Sequence, residues 1–121
     1  MANDFKRFTS ASLGTTAGAS ATAVYTVPSS SSTAMESIVI GITLANKSNA
    51  GITASVFLDN FDGSNDVFIV KDATVPAGSS LEVMAGNKIV VQNDGSNADV
   101  VRVSCNTASS LDALITVLED V

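Results

Sequence analysis

The chain has no histidine and no tryptophan, a single cysteine, two prolines and only 15% charged residues in 121 positions. Without histidine the commonest general base, the usual partner of a nucleophilic serine and the commonest zinc ligand are all missing. One cysteine, Cys105, excludes an internal disulfide and a thiolate cluster. It lies in the alternating run Val101, Val103, Cys105, which reads as a small buried hydrophobe. Serines and four lysines are present, but no motif sets a Ser/Lys pair apart, and Lys47, Lys71 and Lys88 fall in or near turns. Gly14-Thr15-Thr16-Ala17-Gly18 lacks the lysine of a phosphate-cradling loop. The expectation is a protein that is not an enzyme and uses no cofactor.

Positive charge is also scarce. Twelve acidic residues against six basic ones give a net charge of −6, and the one adjacent basic pair is Lys6-Arg7. A protein that tracks a phosphate backbone clusters Lys and Arg, so neither nucleic acid nor an anionic membrane is an expected partner. No apolar run approaches the ~18 residues of a membrane span, and MANDFKRF carries charges where a signal sequence needs an apolar stretch. The expected site of synthesis is the cytoplasm. Charged residues are few while apolar ones reach 45%. A surface so short of charge fits one partly covered by oligomerisation or by docking on a larger assembly.

What is present is alternation. In Glu36–Asn60, Ile38, Ile40, Ile42 and Leu44 share one face of an extended strand. Ile52, Ala54, Val56 and Leu58 repeat the pattern after the turn residues Asn46–Gly51. The spacing predicts a central hairpin. Ala21–Val27 reads as a strand with Ala23, Tyr25 and Val27 on one face, ended by Pro28 and followed by a serine-rich loop over 29–33. Val67–Lys71, a less regular piece to Val75, Leu81–Met84 and Lys88–Gln92 follow. The turns between them are Pro76-Ala77-Gly78 and Ala85-Gly86-Asn87. Asn93–Asn97 is a strong turn, and Asp99–Asn106 is a strand with Arg102 and Ser104 outward. For Leu111–Val121 a helix capped by Ser110 is conceivable, but the β-branched run Ile115-Thr116-Val117 favours a strand, with Ala113, Ile115 and Val117 on one face. Seven to nine short strands separated by turns predict an all-β fold, a single antiparallel β-sandwich or jelly roll over residues 21–121.

Residues 1–20 read as an N-terminal arm and connector. Phe5 and Phe8 are anchors flanking Lys6 and Arg7, before the small polar run Ser10–Ser20. As an arm this segment reaches a neighbouring subunit, and Phe5, Lys6, Arg7 and Phe8 are the candidate contacts. The other reading is a first strand on the protein's own sheet. Asp59, Asp62, Asn65 and Asp66, with Asp72 nearby, are the one cluster of hard oxygen ligands, of the type calcium takes. Their spacing is not that of an EF-hand, since Phe61 and Val70 occupy ligand positions, and a solvated acidic turn accounts for them better. A sugar-binding sandwich is a rival, opposed by the lack of tryptophan and by a lone tyrosine, Tyr25, within a strand. Asn46-Lys47-Ser48 matches a glycosylation triplet but has no meaning without a secretory route.

Several stretches together resemble a family of small virion structural proteins of tailed bacteriophages, especially those infecting marine bacteria. They are the start MANDFKRFTSASLGTTA, Tyr25-Thr26-Val27-Pro28, the apolar strand Ile38–Asn46, Val75-Pro76-Ala77-Gly78, the run Gly86–Val91, and a final strand ending at Glu119. The resemblance implies a β-sandwich that assembles in many copies on the particle, with no catalytic residues. The expected function is an accessory or decoration subunit of the capsid. Alternatives are a neck or tail subunit, or a carbohydrate- or receptor-binding module on the virion. The expected partners are other virion proteins (a major capsid, neck or tail protein) and further copies of the chain, and the expected location is the virion.

Overall fold

A computed structural model describes residues 3–29, 33–84, 86 and 88–120. Among the described residues nine strands occur in the order β1 (Asn3–Ser10), β2 (Thr22–Thr26), β3 (Met35–Asn46), β4 (Ile52–Asp59), β5 (Val67–Val75), β6 (Ser80–Glu82), β7 (Ile89–Asn93), β8 (Val100–Cys105) and β9 (Leu111–Asp120). A three-residue 3₁₀ turn, Gly18–Ser20, is the helical piece among the described residues. One sheet has the order β1-β9-β3, with β6 and β7 sharing the far side of β3, and the other is β2-β8-β4-β5. Every pairing is antiparallel. The two sheets pack face to face over one core that draws Val39, Ile42, Leu44, Ile115 and Val117 from the first and Tyr25, Val56, Val101 and Val103 from the second. The protein is an all-β sandwich. Ser30–Ser32 of the serine-rich loop, Ala85 and Asn87 of the predicted turn, and Met1, Ala2 and Val121 lie outside the described residues.

The predicted hairpin of β3 and β4 is corrected. The two strands lie in different sheets, and β3 is paired with β9, β6 and β7 while β4 is paired with β5 and β8. Residues 47–51 carry the chain across the sandwich instead of folding it back. Asn46, 2% exposed, holds that crossing. Its Nδ2 donates to the carbonyls of Ala50 (2.8 Å), Val75 (3.0 Å) and Pro76 (3.2 Å). Its Oδ1 accepts from the Ser48 amide (2.9 Å) and hydroxyl (2.7 Å). A side chain so engaged is closed to glycosylation in the folded protein.

The inward face of β3 is also corrected. Val39 pairs with Val117 and Gly41 with Thr116, so Ile40 is an extra residue opposite none. Such a bulge resets the alternation by one position. Met35, Ser37 and Val39 point inward before it, and Ile42, Leu44 and Asn46 after it, so Ile38 and Ile40 sit half-buried on the outer face. The same device in β2 leaves Val24 between the pairs of Ala23 and Tyr25, turning Val24 and Tyr25 inward and Ala23 out. In β5, Asp72 takes φ 51° at one of two register shifts, and Ser55 Oγ accepts its amide at 2.9 Å. That is the irregularity the sequence shows before Val75. The β3 bulge makes Val39→Ala expected to cost about 2 kcal/mol and Ile40→Ala about 0.5 kcal/mol in urea unfolding. An unbroken alternation gives the opposite order.

β9 and most of β4 and β8 follow their predicted alternation, but Ser104, read as outward, is 5% exposed. Leu111, Ala113, Ile115 and Val117 of β9 are buried and Leu114, Thr116 and Leu118 are half-buried, with no helix. Cys105 is 5% exposed beside Val103 at 0%.

Candidate functional site

The segment Phe5-Lys6-Arg7-Phe8 is part of β1, the edge strand beside β9, and alternation divides its four residues between two faces. Phe5 and Arg7 lie on the outer face, and Phe5 is 76% exposed. Lys6 and Phe8 turn toward the sandwich interior, where Phe8 packs on Tyr25 with ring centroids 4.7 Å apart.

On the outer face the register lines up an apolar row across four strands. Phe5 of β1 pairs with Leu118 of β9, Leu118 with Ile38 of β3, and Ile38 with Val90 of β7. Val90 is 59% exposed, and Leu118 and Ile38 are half-buried. Exposed Arg7 and Lys88 lie to one side of the row, and the paired Glu36 and Gln92 to the other. Further along the same face, Thr9, Ala11, Thr43, Ala45 and Leu114 line an open groove of about 360 Å³. Sequence reasoning identified Phe5 and missed Ile38, Val90 and Leu118. The available signal was a strand apolar on both faces, visible in Ile89-Val90-Val91 and in the Leu114/Leu118 side of β9.

Beneath this face lies a buried polar cluster that the sequence did not reveal. Glu119 is 1% exposed on the inner side of β9. Tyr25 Oη donates to its Oε2 at 2.6 Å. Ser37 Oγ lies 2.9 Å from the same phenol oxygen. A phenol carries one proton and the shorter contact claims it, so the serine hydroxyl donates there. Lys6 Nζ meets Oε1 at 2.9 Å, so the second carboxylate oxygen is held by the ion pair. Contact with the Glu119 carboxylate and then its charge raise the Lys6 pKa above 10.5. Burial, then the bond to Glu119, push the Tyr25 phenol well above its ordinary 10.0. Groups whose pKa rises on folding contribute stability that is present below their unfolded values and lost as pH climbs past them. The melting temperature is therefore expected to fall above about pH 10, and Tyr25→Phe to flatten the decline.

The acidic turn is occupied by its own backbone. Asp66 Oδ1 accepts from the Asn60 amide (2.7 Å) and Asp62 Oδ1 from the Ser64 amide (2.8 Å), while Gly63 and Asn65 take positive φ. Asp59 Oδ2 pairs with Arg102 Nε at 3.0 Å. Asp72 sits apart, at the β5 bulge. Among the described residues no three acidic, cysteine or histidine side chains converge as metal ligands. The melting temperature is expected to be equal in calcium and in chelator. Asp99, which the sequence did not single out, is 6% exposed. It clips this turn to β7 by accepting from the Phe61 amide (2.7 Å) and the Gln92 amide (2.8 Å).

No protein-family model and no curated protein matches the chain. Among solved structures it is similar to a chain of "Structure of infectious bursal disease virus Gt strain", at 12% identity and a TM-score of 0.25, over 96% of this chain and 39% of that one. The β-sandwich assignment rests on the sheet topology of this chain itself. Among the described residues no helix is long and apolar enough to cross a membrane.

Proposed function

We propose that the chain is a non-enzymatic structural subunit of a tailed-bacteriophage virion, an accessory or decoration protein that packs in many copies on the capsid. The carrying observation is the outward row Phe5–Leu118–Ile38–Val90, an apolar strip across one sheet of a protein that has few charges. A strip of this kind marks a surface made to be covered. The resemblance of the sequence to small virion proteins supports the same reading. Each contact would be modest, and many copies on a symmetric lattice would add them up.

The test is quantitative mass spectrometry of purified virions together with add-back of the purified protein to particles lacking it. A copy number comparable with that of the major capsid protein is the expected result. A small fixed number per particle would place the chain at the neck or tail, and absence from particles would overturn the proposal. Phe5→Ser with Val90→Ser is expected to abolish add-back while leaving the melting transition cooperative.

A further inference from the structure

The first strand is an edge strand, joined to β9 by a ladder over Asn3–Ser10. None of its described side chains is fully buried, and its ladder runs to β9 alone. Beyond that ladder it is held at two points. One is internal, where Lys6 meets Glu119 and Phe8 meets Tyr25. The other is an exposed latch just past its end. There the Ser12 amide donates to Asp112 Oδ1 (2.8 Å), Lys47 Nζ donates to Ser12 Oγ (2.7 Å), and Lys47 pairs with Asp112 (3.0 Å).

The latch closes on a strained residue. Ser12 has φ 56°, a left-handed conformation that a serine adopts at a cost. The very next residue is anchored: Leu13 is 1% exposed, its amide donates to the Leu111 carbonyl (2.9 Å), and its carbonyl accepts from the Ser109 amide (3.2 Å). Rotation at Ala11 and Ser12 would therefore release residues 3–10 as a unit and leave everything from Leu13 onward in place.

An emptied β1 slot would be chemically demanding. The deeply buried Glu119 would keep the Tyr25 bond on one oxygen and lose the cation on the other, and the Tyr25 ring would lose Phe8. A strand that re-covers this carboxylate without bringing a cation would bury an unpaired charge, which is strongly unfavourable. The slot calls for an extended segment, antiparallel to β9, that carries a lysine two positions before an aromatic residue. Lys6-Arg7-Phe8 of another copy meets that requirement at every position.

We infer that β1 is an exchangeable strand, whose proper ligand is the β9 edge and Glu119 of a second copy as well as its own. Two chains trading Asn3–Ser10 would make the same ladder and the same Lys6–Glu119 pair as one chain does alone. Only the Ala11–Ser12 hinge would differ, so concentration and hinge preference set the balance. This holds whether or not the chain is a virion subunit.

The experiment uses full-length chains in a Cys105→Ala background. Thr9 and Leu114 face each other in the β1–β9 register. Thr9→Cys is placed in one chain and Leu114→Cys in another, and the two are refolded together at high concentration under mild oxidation. A chain carrying both substitutions checks that the pair can close. The expected result is a Thr9→Cys/Leu114→Cys heterodisulfide well above the statistical share set by the two homodisulfides. Adding Lys6→Met to the Thr9→Cys chain should lower its yield by about tenfold or more in competition with the unaltered strand. Ser12→Pro, which imposes a negative φ at the hinge, should raise the dimer fraction above that of the parent in light scattering. A pair that closes within the double-substituted chain but stays statistical between chains overturns the exchange. An undiminished yield with Lys6→Met overturns the role of Glu119 as its key.

Discussion

Replacing Asn46 with Ala is expected to lower the free energy of unfolding by about 2 kcal/mol or more, with the denaturant slope unchanged. The side chain is almost wholly buried at the point where β3 leaves one sheet and the chain crosses to the other. Truncation takes its amide from the buried Val75 carbonyl and its acceptor from the Ser48 amide, while the Ala50 and Pro76 carbonyls keep the Ser48 hydroxyl and the Ser79 amide. Each buried polar group left unpaired costs about 1 kcal/mol or more, and the losses fall on one site. Asn46→Asp, nearly the same in shape, should cost more than Ala, because a carboxylate would face three carbonyl oxygens. Urea unfolding of the two variants checks both the size and the order. Equal stability to the parent would mean that the crossing loop is held by its backbone bonds alone, from the Asn46 amide to Ser79 and from the Lys47 amide to Ser110.

Tyr25→Phe is expected to cost about 2 kcal/mol, more than the ordinary loss of one hydroxyl. The ring packing on Phe8 is retained, so the change isolates the 2.6 Å bond to Glu119 and the link to Ser37. Hydrogen bonds to ionised groups are worth roughly twice those between neutral ones, and this one serves an oxygen with no route to water. Ser37→Ala should cost less, since the direct Tyr25–Glu119 contact survives it. If Tyr25→Phe were neutral, the carboxylate would have to be satisfied by Lys6 alone. The loss in Lys6→Met would then exceed that in Tyr25→Phe.

The strands were readable because alternation is a local property. The β9 residues Leu111, Ala113, Ile115 and Val117 turn inward as their spacing predicts, and so do Ile52, Ala54 and Val56 of β4. Tyr25 and Cys105 are core residues as read from their strands. Apart from the β3–β4 pairing, the errors cluster where a strand holds one residue too many for its partner. Ile38 and Ile40 have the same apolar character as Val39 and Ile42, and nothing in their own chemistry says that Ile40 will bulge. The bulge is defined by the pairing of Val39 and Gly41 with Val117 and Thr116, about 75 residues away in sequence. The acidic turn was legible as a turn. The fastening of Asp59 to Arg102, and of Phe61 to Asp99, was not, because both partners lie on or beside a strand met much later in the chain.

By itself, then, the sequence determined the all-β class, the strands and most of their inward residues, and a surface short of charge. Each of these follows from residue type and near-neighbour spacing. The tertiary structure decided which sheet each strand joins, which side Ile38 and Ile40 take, and how the first strand divides its residues. Phe5 and Arg7 face outward, while Phe8 turns to Tyr25 and Lys6 to a glutamate more than a hundred positions further on. Those outcomes depend on cross-strand register between distant segments. Register is settled by the packing of whole faces and the pairing of buried polar groups, which no local window contains.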